Sequence, residues 1–314
     1  MTITQLKYVL SVSKHKNFTI AAEHSFVTQP TLSMQIQKLE DELGVMIFHR
    51  SKKPIELTDI GEKIVEQAKV IVNESNRIED IVHQHKGFIG GEFRLGIIPT
   101  VISTLLPMFL NHFSKTYPKV KLIIEELNTE EIIKKLSESE IHAGLAATPL
   151  EYEDIKEKPL YYEPFVGLVP MNHRLFNQKE ITPEELEIED LLLLEEGHCF
   201  KQSVINLCKR LNSDNKRNFQ LESGNFNTLI KLSKNGHGMT LIPYLQSQDL
   251  STDDQKFLRQ FRTPPPAREI SLIYHKSQLK IEIIEALKNT IDDVIRGAIT
   301  IQDVKIISPL KKNR

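Results

Sequence analysis

The only two cysteines of the chain, Cys199 and Cys208, lie nine positions apart and are the first candidates for chemistry. An apolar run at residues 191–194 precedes them, Gly197 provides a turn, and apolar residues recur with helical spacing from Phe200 onward. The pattern predicts a strand, a tight turn and a helix, with Cys199 in the first helical turn and Cys208 near the last.

The predicted helix favours reactivity at one of the two thiols. A thiol in the first turn lies at the positive end of the helix dipole and near unpaired backbone N–H groups, which favours the thiolate. Lys201 and His198 would add positive charge beside Cys199. Cys208, two turns further on, receives no such help.

A disulfide between the two cysteines is incompatible with an intact helix. Nine helical residues rise about 13 Å, and at about 100° per residue the two side chains point roughly 180° apart. A disulfide requires Cα atoms within about 7 Å. The bond can form only if the helix opens, which would make the segment a switch. The alternative is two ordinary buried cysteines, the commoner role for this residue.

Length and composition are those of a globular protein with two or three domains. The chain has 314 residues, of which 40% are hydrophobic and 26% charged, with a formal net charge of −2. Membrane spans and an export signal are absent from the pattern, so we expect a cytoplasmic protein in which a disulfide would be transient. The histidines lack metal-ligand spacing, and neither a metal nor another cofactor is expected.

Residues 1–58 show the pattern of a winged helix-turn-helix. An apolar first helix is followed by a short second helix with Asn17 as candidate N-cap, and Thr28 and Pro30 would begin a third. The third helix has one apolar face and ends at Gly44. Two short β segments with a basic tip follow, in the order expected for a wing.

The third helix and the wing supply the candidate DNA contacts. Their polar side chains suit base edges or phosphates, and basic residues at the tip suit phosphates or the minor groove. Basic and acidic residues are nearly balanced over residues 1–60, so charge alone does not exclude a generic helical bundle. The candidates are Gln29, Pro30, Thr31, Ser33, Met34, Gln35, Lys38, Arg50, Lys52 and Lys53.

Residue groups at fixed spacings resemble the N-terminal domain of LysR-type transcriptional regulators. They are Phe18-x-x-Ala21-Ala22, Thr28-Gln29-Pro30-Thr31-Leu32-Ser33, Ile36-x-x-Leu39-Glu40, Leu43-Gly44, Phe48, Arg50, Leu57-Thr58 and Gly61. Residues 38–46 are closer still to one branch, the hydrogen-peroxide-sensing OxyR regulators. The resemblance implies binding to double-stranded promoter DNA and activation of oxidative-stress genes, with RNA polymerase as a further partner.

Residues 59–90 are expected to form a linker helix and hinge. Apolar residues recur every seven positions from Leu57 to Ile78, which is a short coiled-coil pattern. Three of the five residues from Gly87 to Gly91 are glycines, which suits a hinge. By the family resemblance, this helix joins copies of the chain into a homodimer or homotetramer. A helix packed on its own domain is the alternative.

Residues 91–300 are predicted to form an α/β regulatory domain. Strands and helices alternate, first up to about residue 147 and again after residue 165, which predicts a parallel sheet with helices on both faces. The pattern resembles periplasmic-binding-protein-like effector domains with two subdomains. Subdomain I would comprise residues 91–163 and 268–300 and subdomain II residues 164–267, before a tail at 301–314.

Three predicted helix starts, at Thr100, Thr129 and Cys199, should face the cleft between the subdomains. The two hydroxyls would either be simple N-caps or form a small polar pocket with Cys199. In such a pocket, O–H and N–H donors would stabilise the leaving oxygen while a thiolate attacks the O–O bond of a peroxide.

The OxyR resemblance extends to this domain through Ile98–Val101 and residues 191–199. It implies that hydrogen peroxide oxidises one cysteine, which then forms a disulfide with the other. At Gln202 this chain departs from the acidic residue of relatives, so its amide would only hydrogen-bond. The implied residues are Cys199 (peroxidatic), Cys208 (resolving) and the pocket residues Thr100, Thr129, His198, Arg268 and Gln202.

The function predicted is that of a DNA-binding regulator controlled by a reversible Cys199–Cys208 disulfide, rather than an enzyme. Two alternatives remain. One is a LysR-type regulator whose cleft binds a small metabolite, with incidental cysteines. The other is a thiol peroxidase, which would leave a DNA-binding domain without a purpose.

Overall fold

The structure is a computed structural model that describes residues 1–85, 89–195, 197, 199–208, 221, 225–299 and 303–310, except the side chains of residues 79, 80, 83 and 84. The α-helices are α1 Ile3–His15, α2 Phe18–His24, α3 Gln29–Leu43, α4 Asp59–His85, α5 Pro99–Thr116, α6 Thr129–Ser137, α7 Cys199–Leu207, α8 Phe226–Lys234, α9 Tyr244–Gln248 and α10 Ile281–Ile295. Short 3-10 helices lie at Pro183–Glu185, Ile188–Asp190 and Gln255–Phe257. Within these ranges no helix has the length and apolar character needed to cross a membrane.

The strands belong to a two-stranded wing and one larger sheet. They are β1 Phe48–His49, β2 Glu56–Leu57, β3 Gly91–Ile97, β4 Val120–Glu126, β5 Ala143–Thr148, β6 Ile155–Leu168, β7 Glu180–Ile181, β8 Thr240–Pro243, β9 Leu258–Phe261, β10 Pro266–His275 and β11 Lys305–Ile306. The chain divides into two compact units, one up to His85 and one containing most described residues from Ile89 onward.

The first unit is the predicted winged helix-turn-helix followed by the long helix α4. Asn17 caps α2, since its side chain accepts from the backbone N–H groups of Thr19 and Ile20. Gly44 ends α3 in a left-handed conformation with φ 69°. Both predictions are confirmed. Thr28 holds the N-cap position of α3, but its hydroxyl bonds to the hydroxyl of Thr31 rather than to the backbone.

A buried carboxylate joins α3 to the wing. Glu40 accepts hydrogen bonds from the backbone N–H groups of Ile47 (2.7 Å) and Phe48 (3.3 Å), and from Nη2 of Arg50 (2.7 Å). Nη1 of Arg50 donates to Ser33 Oγ at 3.2 Å. Arg50 and Ser33, both predicted to contact DNA, therefore bind each other and hold the wing against the helix. Their contacts to DNA stay a prediction.

The first half of α4 packs on its own domain. Val65, Ala68 and Val72 are buried among the residues of the helix-turn-helix core. By contrast, Ile78 is 64% exposed and Ile81 is 54% exposed. The sequence left packing on the domain as the alternative to a coiled coil, and the structure shows that packing for the first half. A dimer seam stays a prediction for the last turns, and Gly87 of the predicted hinge lies outside the described residues.

The second unit is built on a mixed sheet with the strand order β4-β3-β5-β10-β6-β9-β7, to which β8 adds on β6 and β11 on β10. Strand β3 is parallel to β4 and β5, as predicted for the first half. In the second half, β8 and β9 are antiparallel to β6. The chain is predicted to cross between the subdomains at residues 163/164 and 267/268. These two points lie within the long strands β6 and β10, which pair antiparallel from Ala267 to His275 on β10.

The second unit has two hydrophobic clusters, which correspond to the predicted two-subdomain architecture. Cluster I includes Phe93, Leu95, Ile97, Val101, Leu105, Phe109, Leu145, Tyr161, Leu245, Ile270 and Ile284. Cluster II includes Phe165, Val166, Leu168, Leu191, Phe200, Val204, Leu207, Leu229, Ile242 and Ile307. The exact residues at which the subdomains begin and end stay a prediction.

The end of the chain is more ordered than the predicted tail at 301–314 suggests. Strand β11 is parallel to the start of β10, and the N–H of Ile307 donates to the carbonyl oxygen of Ala267 at 2.8 Å. The amide of Asn206 in α7 donates to the carbonyl oxygens of Ser308 (3.0 Å) and Leu310 (2.7 Å). Residues 311–314 of the predicted tail lie outside the described residues.

Gly61 stands where helix α4 meets the segment before the wing, and it offers a test of this packing. A Cβ atom there would overlap with the backbone carbonyl of Ile47, which cannot yield as a side chain can. We expect Gly61→Ala to lower the free energy of unfolding by about 1–3 kcal/mol, the usual cost of overpacking, in urea unfolding followed by circular dichroism. The control is Gly297→Ala, because its added Cβ meets nothing closer than 4.0 Å. Equal stability of the two variants would contradict the packing.

Candidate functional site

Helix α7 carries both cysteines at its two ends. Cys199 is its first residue, and Cys208 follows its last residue and still donates its N–H to the carbonyl oxygen of Val204 at 3.2 Å. Both are free thiols. The predicted placement of the two residues is confirmed, and the helix between them is intact.

The two cysteines contact different hydrophobic clusters. Cys199 packs against cluster I, whereas Cys208 packs against cluster II. Between them, Phe200, Val204 and Leu207 are buried in cluster II. The helix is therefore anchored in the second half of the regulatory unit and presents Cys199 to the first half.

Burial makes Cys208 a poor nucleophile in this conformation. Burial, with a smaller contribution from the Glu189 carboxylate, raises the pKa of the Cys208 thiol to about 12. The thiol is therefore protonated throughout the physiological range. It can ionise readily only after it leaves its apolar surroundings.

A buried arginine lies at the centre of the site. Nη1 of Arg268 donates to Thr100 Oγ1 (2.7 Å), and Nη2 donates to the carbonyl oxygen of Thr100 (2.9 Å). Its guanidinium carbon lies 5.2 Å from the ring centroid of Phe200, the residue after Cys199. The structure thus brings Arg268 and Thr100 together and places the guanidinium of Arg268 over the ring of Phe200 in the first turn of α7.

Glu163, which the sequence did not single out as a site residue, binds the other side of Arg268. Its Oε2 accepts from Nε (3.0 Å) and Nη2 (2.8 Å) of Arg268, and its Oε1 accepts from the N–H of Leu245 (3.0 Å). Both charged side chains are only 1% exposed. The sequence offered one signal for Glu163, because it is an acidic residue at a predicted subdomain boundary beside an apolar strand. Its partner Arg268 is remote in sequence, so the pairing could not be read from local spacing.

The interpretation of Thr100 and Thr129 as N-caps is wrong. Ile98 holds the N-cap position of α5, and Thr100 is the second residue of that helix. At α6, the Asn128 side chain accepts from the N–H of Glu131 at 2.9 Å and serves as the cap. Both threonine hydroxyls are thus available for other partners, because neither is needed by its helix end.

Two buried hydroxyls of this unit have no hydrogen-bond partner among the described residues. They are Thr129 Oγ1 and Tyr161 Oη. Burial raises the pKa of Tyr161, and the nearby Glu163 carboxylate raises it further while Arg268 opposes this, so the phenol is neutral. An unpaired buried hydroxyl costs about 1–3 kcal/mol.

The two remaining predicted pocket residues, Gln202 and His198, have no described contact with Arg268 or Thr100. Nε2 of Gln202 donates to Oδ1 of Asn206 at 3.0 Å, one turn along α7. That bond directs its side chain toward the residue that holds the C-terminal segment. His198 lies outside the described residues.

The candidate DNA contacts divide by their exposure. On α3, Gln35 is partly buried and its Oε1 accepts from the amide of Gln5 at 3.4 Å. On the wing, Lys52 forms an ion pair with Glu56, and Lys53 is exposed. The candidates on α3 that are exposed are Gln29, Pro30, Thr31, Met34 and Lys38.

Two family models match the chain. The model described as the bacterial regulatory helix-turn-helix protein of the lysR family matches residues 3–62. The model described as the LysR substrate binding domain matches residues 86–296, more than half of the chain. Their order agrees with the two compact units of the structure.

Individual proteins show the same likeness over nearly full length. The hydrogen peroxide-inducible genes activator of Pectobacterium carotovorum subsp. carotovorum is 31% identical over 298 residues, 95% of this chain and 98% of that protein. The DNA-binding transcriptional dual regulator OxyR of Escherichia coli is 31% identical over 87% of this chain and 89% of its own.

Solved structures extend the comparison to the fold. A full-length OxyR variant from Pseudomonas aeruginosa has a TM-score of 0.73 and 32% identity, and the match covers 93% of this chain and 98% of that one. An OxyR variant from Corynebacterium glutamicum with hydrogen peroxide bound has a TM-score of 0.62 and 27% identity, with coverage of 96% and 94%. The chain therefore belongs to the LysR family of bacterial helix-turn-helix regulators, among which it is similar to the OxyR proteins.

Proposed function

We propose that the protein is a transcriptional regulator that detects hydrogen peroxide by oxidation of Cys199 and controls promoter DNA through its helix-turn-helix. The observation that carries the proposal is that the buried Arg268, bound to Thr100, lies over the ring of Phe200, the residue that follows Cys199 in the first turn of α7. The likeness to activators of hydrogen peroxide-inducible genes supports the same function.

The first step is the reduction of hydrogen peroxide by Cys199. Cys199 reacts as its thiolate, which is the nucleophilic form of a cysteine. Its sulfur attacks one oxygen, the O–O bond breaks, and the other oxygen leaves as hydroxide and takes up a proton to become water. Because Arg268 donates to Thr100 Oγ1, the Thr100 hydroxyl proton remains available, and with Thr129 it can stabilise the leaving oxygen. Cys199 becomes a sulfenic acid.

The second step is condensation with Cys208. The Cys208 sulfur attacks the sulfenic sulfur, the S–O bond breaks, and water leaves as the disulfide forms. Two features of the intact helix oppose this step, namely the helical separation of about 13 Å and the raised pKa of the buried Cys208 thiol. The step therefore requires α7 to open, which removes both obstacles at once.

Opening of α7 would carry the signal to DNA. Phe200 would leave the face of Arg268, and Asn206 would release the backbone of residues 308–310. The resulting change in packing would alter the arrangement of subunits in a homodimer or homotetramer. Exposed apolar residues near the end of α4, including Ile78 and Ile81, suit such an assembly. Contact with RNA polymerase would then complete the role of an activator.

Serine variants of the two cysteines separate the two chemical steps. We expect Cys199→Ser to lose the change in DNA footprint on peroxide treatment while keeping basal DNA binding. Cys208→Ser should still form a dimedone-reactive sulfenic acid, seen by mass spectrometry, but no intramolecular disulfide. A peroxide response that survives in Cys199→Ser would contradict the proposal. A response to a metabolite in the variant without either cysteine would favour the alternative of a small-molecule effector.

The protonation state of Cys208 predicts selective labelling. The pKa of the Cys208 thiol is about 12, so the thiol stays protonated between pH 7 and pH 9. Raising the pH over this range should therefore leave Cys208 unreactive in the folded protein. We expect iodoacetamide to label Cys199 in that range at least tenfold faster than Cys208, measured by peptide mass spectrometry. In urea both residues should be labelled at similar rates. Equal rates in the folded protein would show that Cys208 is accessible without opening.

Lys38 on the exposed face of α3 provides a test of DNA binding. If it neutralises one phosphate, Lys38→Ala should weaken binding to all sequences and reduce the slope of log affinity against log salt by about one. Fluorescence anisotropy over a salt series measures both quantities. Lys7→Ala is the control, because Lys7 is also exposed but lies on α1. An unchanged slope for Lys38→Ala would exclude this contact.

A further inference from the structure

We propose that Glu163 is a positioning residue of the Cys199 site, which fixes Arg268 and offsets the charge of its guanidinium. In this role Glu163 sets how far Cys199 ionises, and therefore how readily it reacts. The inference rests on the proposed function in two respects, that Cys199 is the reactive thiol and that Arg268 acts on it.

Glu163 is held so that its carboxylate has one fixed geometry. Its residue lies directly opposite Arg268 in the antiparallel pairing of β6 with β10. One oxygen accepts two hydrogen bonds from Arg268, and the other accepts the backbone N–H of Leu245 at 3.0 Å. The carboxylate thus links both long strands with the start of α9, and it has little freedom to move away from Arg268.

The same contacts define what remains available on Arg268. Four hydrogen bonds, two to Glu163 and two to Thr100, occupy Nε, one N–H of Nη1 and both N–H groups of Nη2. A guanidinium has five N–H groups. Among the described residues one N–H, on Nη1, is left without an acceptor. Glu163 and Thr100 together determine where this last donor points.

Charge pairing limits the electrostatic effect of Arg268. An isolated cation within about 4–6 Å of an acidic group lowers the pKa of that group by about one to three units. A cation in contact with a carboxylate presents a dipole instead, and its field at a third group is much weaker. Arg268 with Glu163 should therefore favour the Cys199 thiolate only moderately. Such moderation suits a sensor, because a fully ionised thiol would be oxidised by traces of peroxide.

None of the other described titratable groups on these clusters or on the segment that carries Cys199 replaces Glu163. Tyr161 is buried in cluster I and neutral, and Tyr244 packs against both clusters. Lys201 and Glu195 lie on the segment that carries Cys199, and His198 is outside the described residues. Of the described carboxylates, Glu163 is the one that forms a salt bridge with Arg268.

The test compares alkylation of Cys199 in two variants that each lose one carboxylate from β6. The rate with iodoacetamide is measured against pH in a Cys208→Ser background, where Cys199 is the single thiol. We expect Glu163→Gln to move the midpoint of this profile about one unit to lower pH, because Arg268 then acts as an uncompensated cation. Glu157→Gln is the matched control, since Glu157 lies on β6 but accepts from the N–H of Leu150. Its profile should match that of the parent.

A double variant keeps the test decisive if Glu163→Gln does not fold. The variant with both Glu163→Gln and Arg268→Gln loses both charges and carries a neutral, hydrogen-bonding amide at each position. Its folding is checked by circular dichroism. If the paired charges nearly cancel at Cys199, the midpoint for the double variant should lie within about half a unit of the parent. A midpoint one unit or more higher would mean that Arg268 acts as a full charge despite Glu163. That result, or a folded Glu163→Gln variant with an unshifted profile, overturns the inference.

The two proposals fail in different ways. If the parent protein shows no oxidation of Cys199 by hydrogen peroxide, the proposed function is wrong. The alkylation profiles still test Glu163 in that case, because iodoacetamide needs only the thiolate. If peroxide oxidises Cys199 normally while the profiles of parent and Glu163→Gln coincide, only the role of Glu163 is lost.

Discussion

The buried ion pair between Arg268 and Glu163 is the constraint around which the regulatory unit is arranged. Two charges out of water are costly, and such a pair is tolerated only when hydrogen bonds satisfy its remaining donors and acceptors. Here Thr100 from α5 and the N–H of Leu245 from α9 supply all of those bonds except one, for an N–H of Arg268 Nη1 that has no acceptor among the described residues. The pair can exist only if the long strands β6 and β10 keep one register, which places Arg268 opposite Glu163.

In the proposed mechanism, helix α7 is the element that opens beside this buried ion pair. It has nine residues, and helices of that length depend on packing rather than on their own hydrogen bonds. Its anchors are three apolar side chains in cluster II and the bonds of Asn206 to the C-terminal segment. A fixed arginine and an openable helix suit the two steps of the proposed chemistry, because the first needs a preorganised site and the second needs the helix to give way.

Both units use a buried carboxylate to hold an arginine. Glu40 binds Arg50 and the backbone of the wing, as Glu163 binds Arg268 and the start of α9. The basic tip of the wing marked Arg50 as a ligand-facing residue, and the family resemblance implied the same for Arg268. The structure shows that each guanidinium is first of all a link between two elements, and that its remaining contacts are directed by its carboxylate.

Local interactions are what the sequence determined by itself. The Asn17 cap, the left-handed Gly44 and the position of both cysteines on α7 depend on residues close in the chain, and all were predictable. The two-unit architecture also followed, because the residue patterns of a winged helix-turn-helix and an α/β domain are distinctive. Only tertiary structure decided the partner of Arg268, which is 105 positions away at Glu163. It also decided that the buried hydroxyl of Thr129 has no partner among the described residues. The docking of residues 303–310 on β10 and α7 was likewise decided by strand register and long-range packing, which no local spacing encodes.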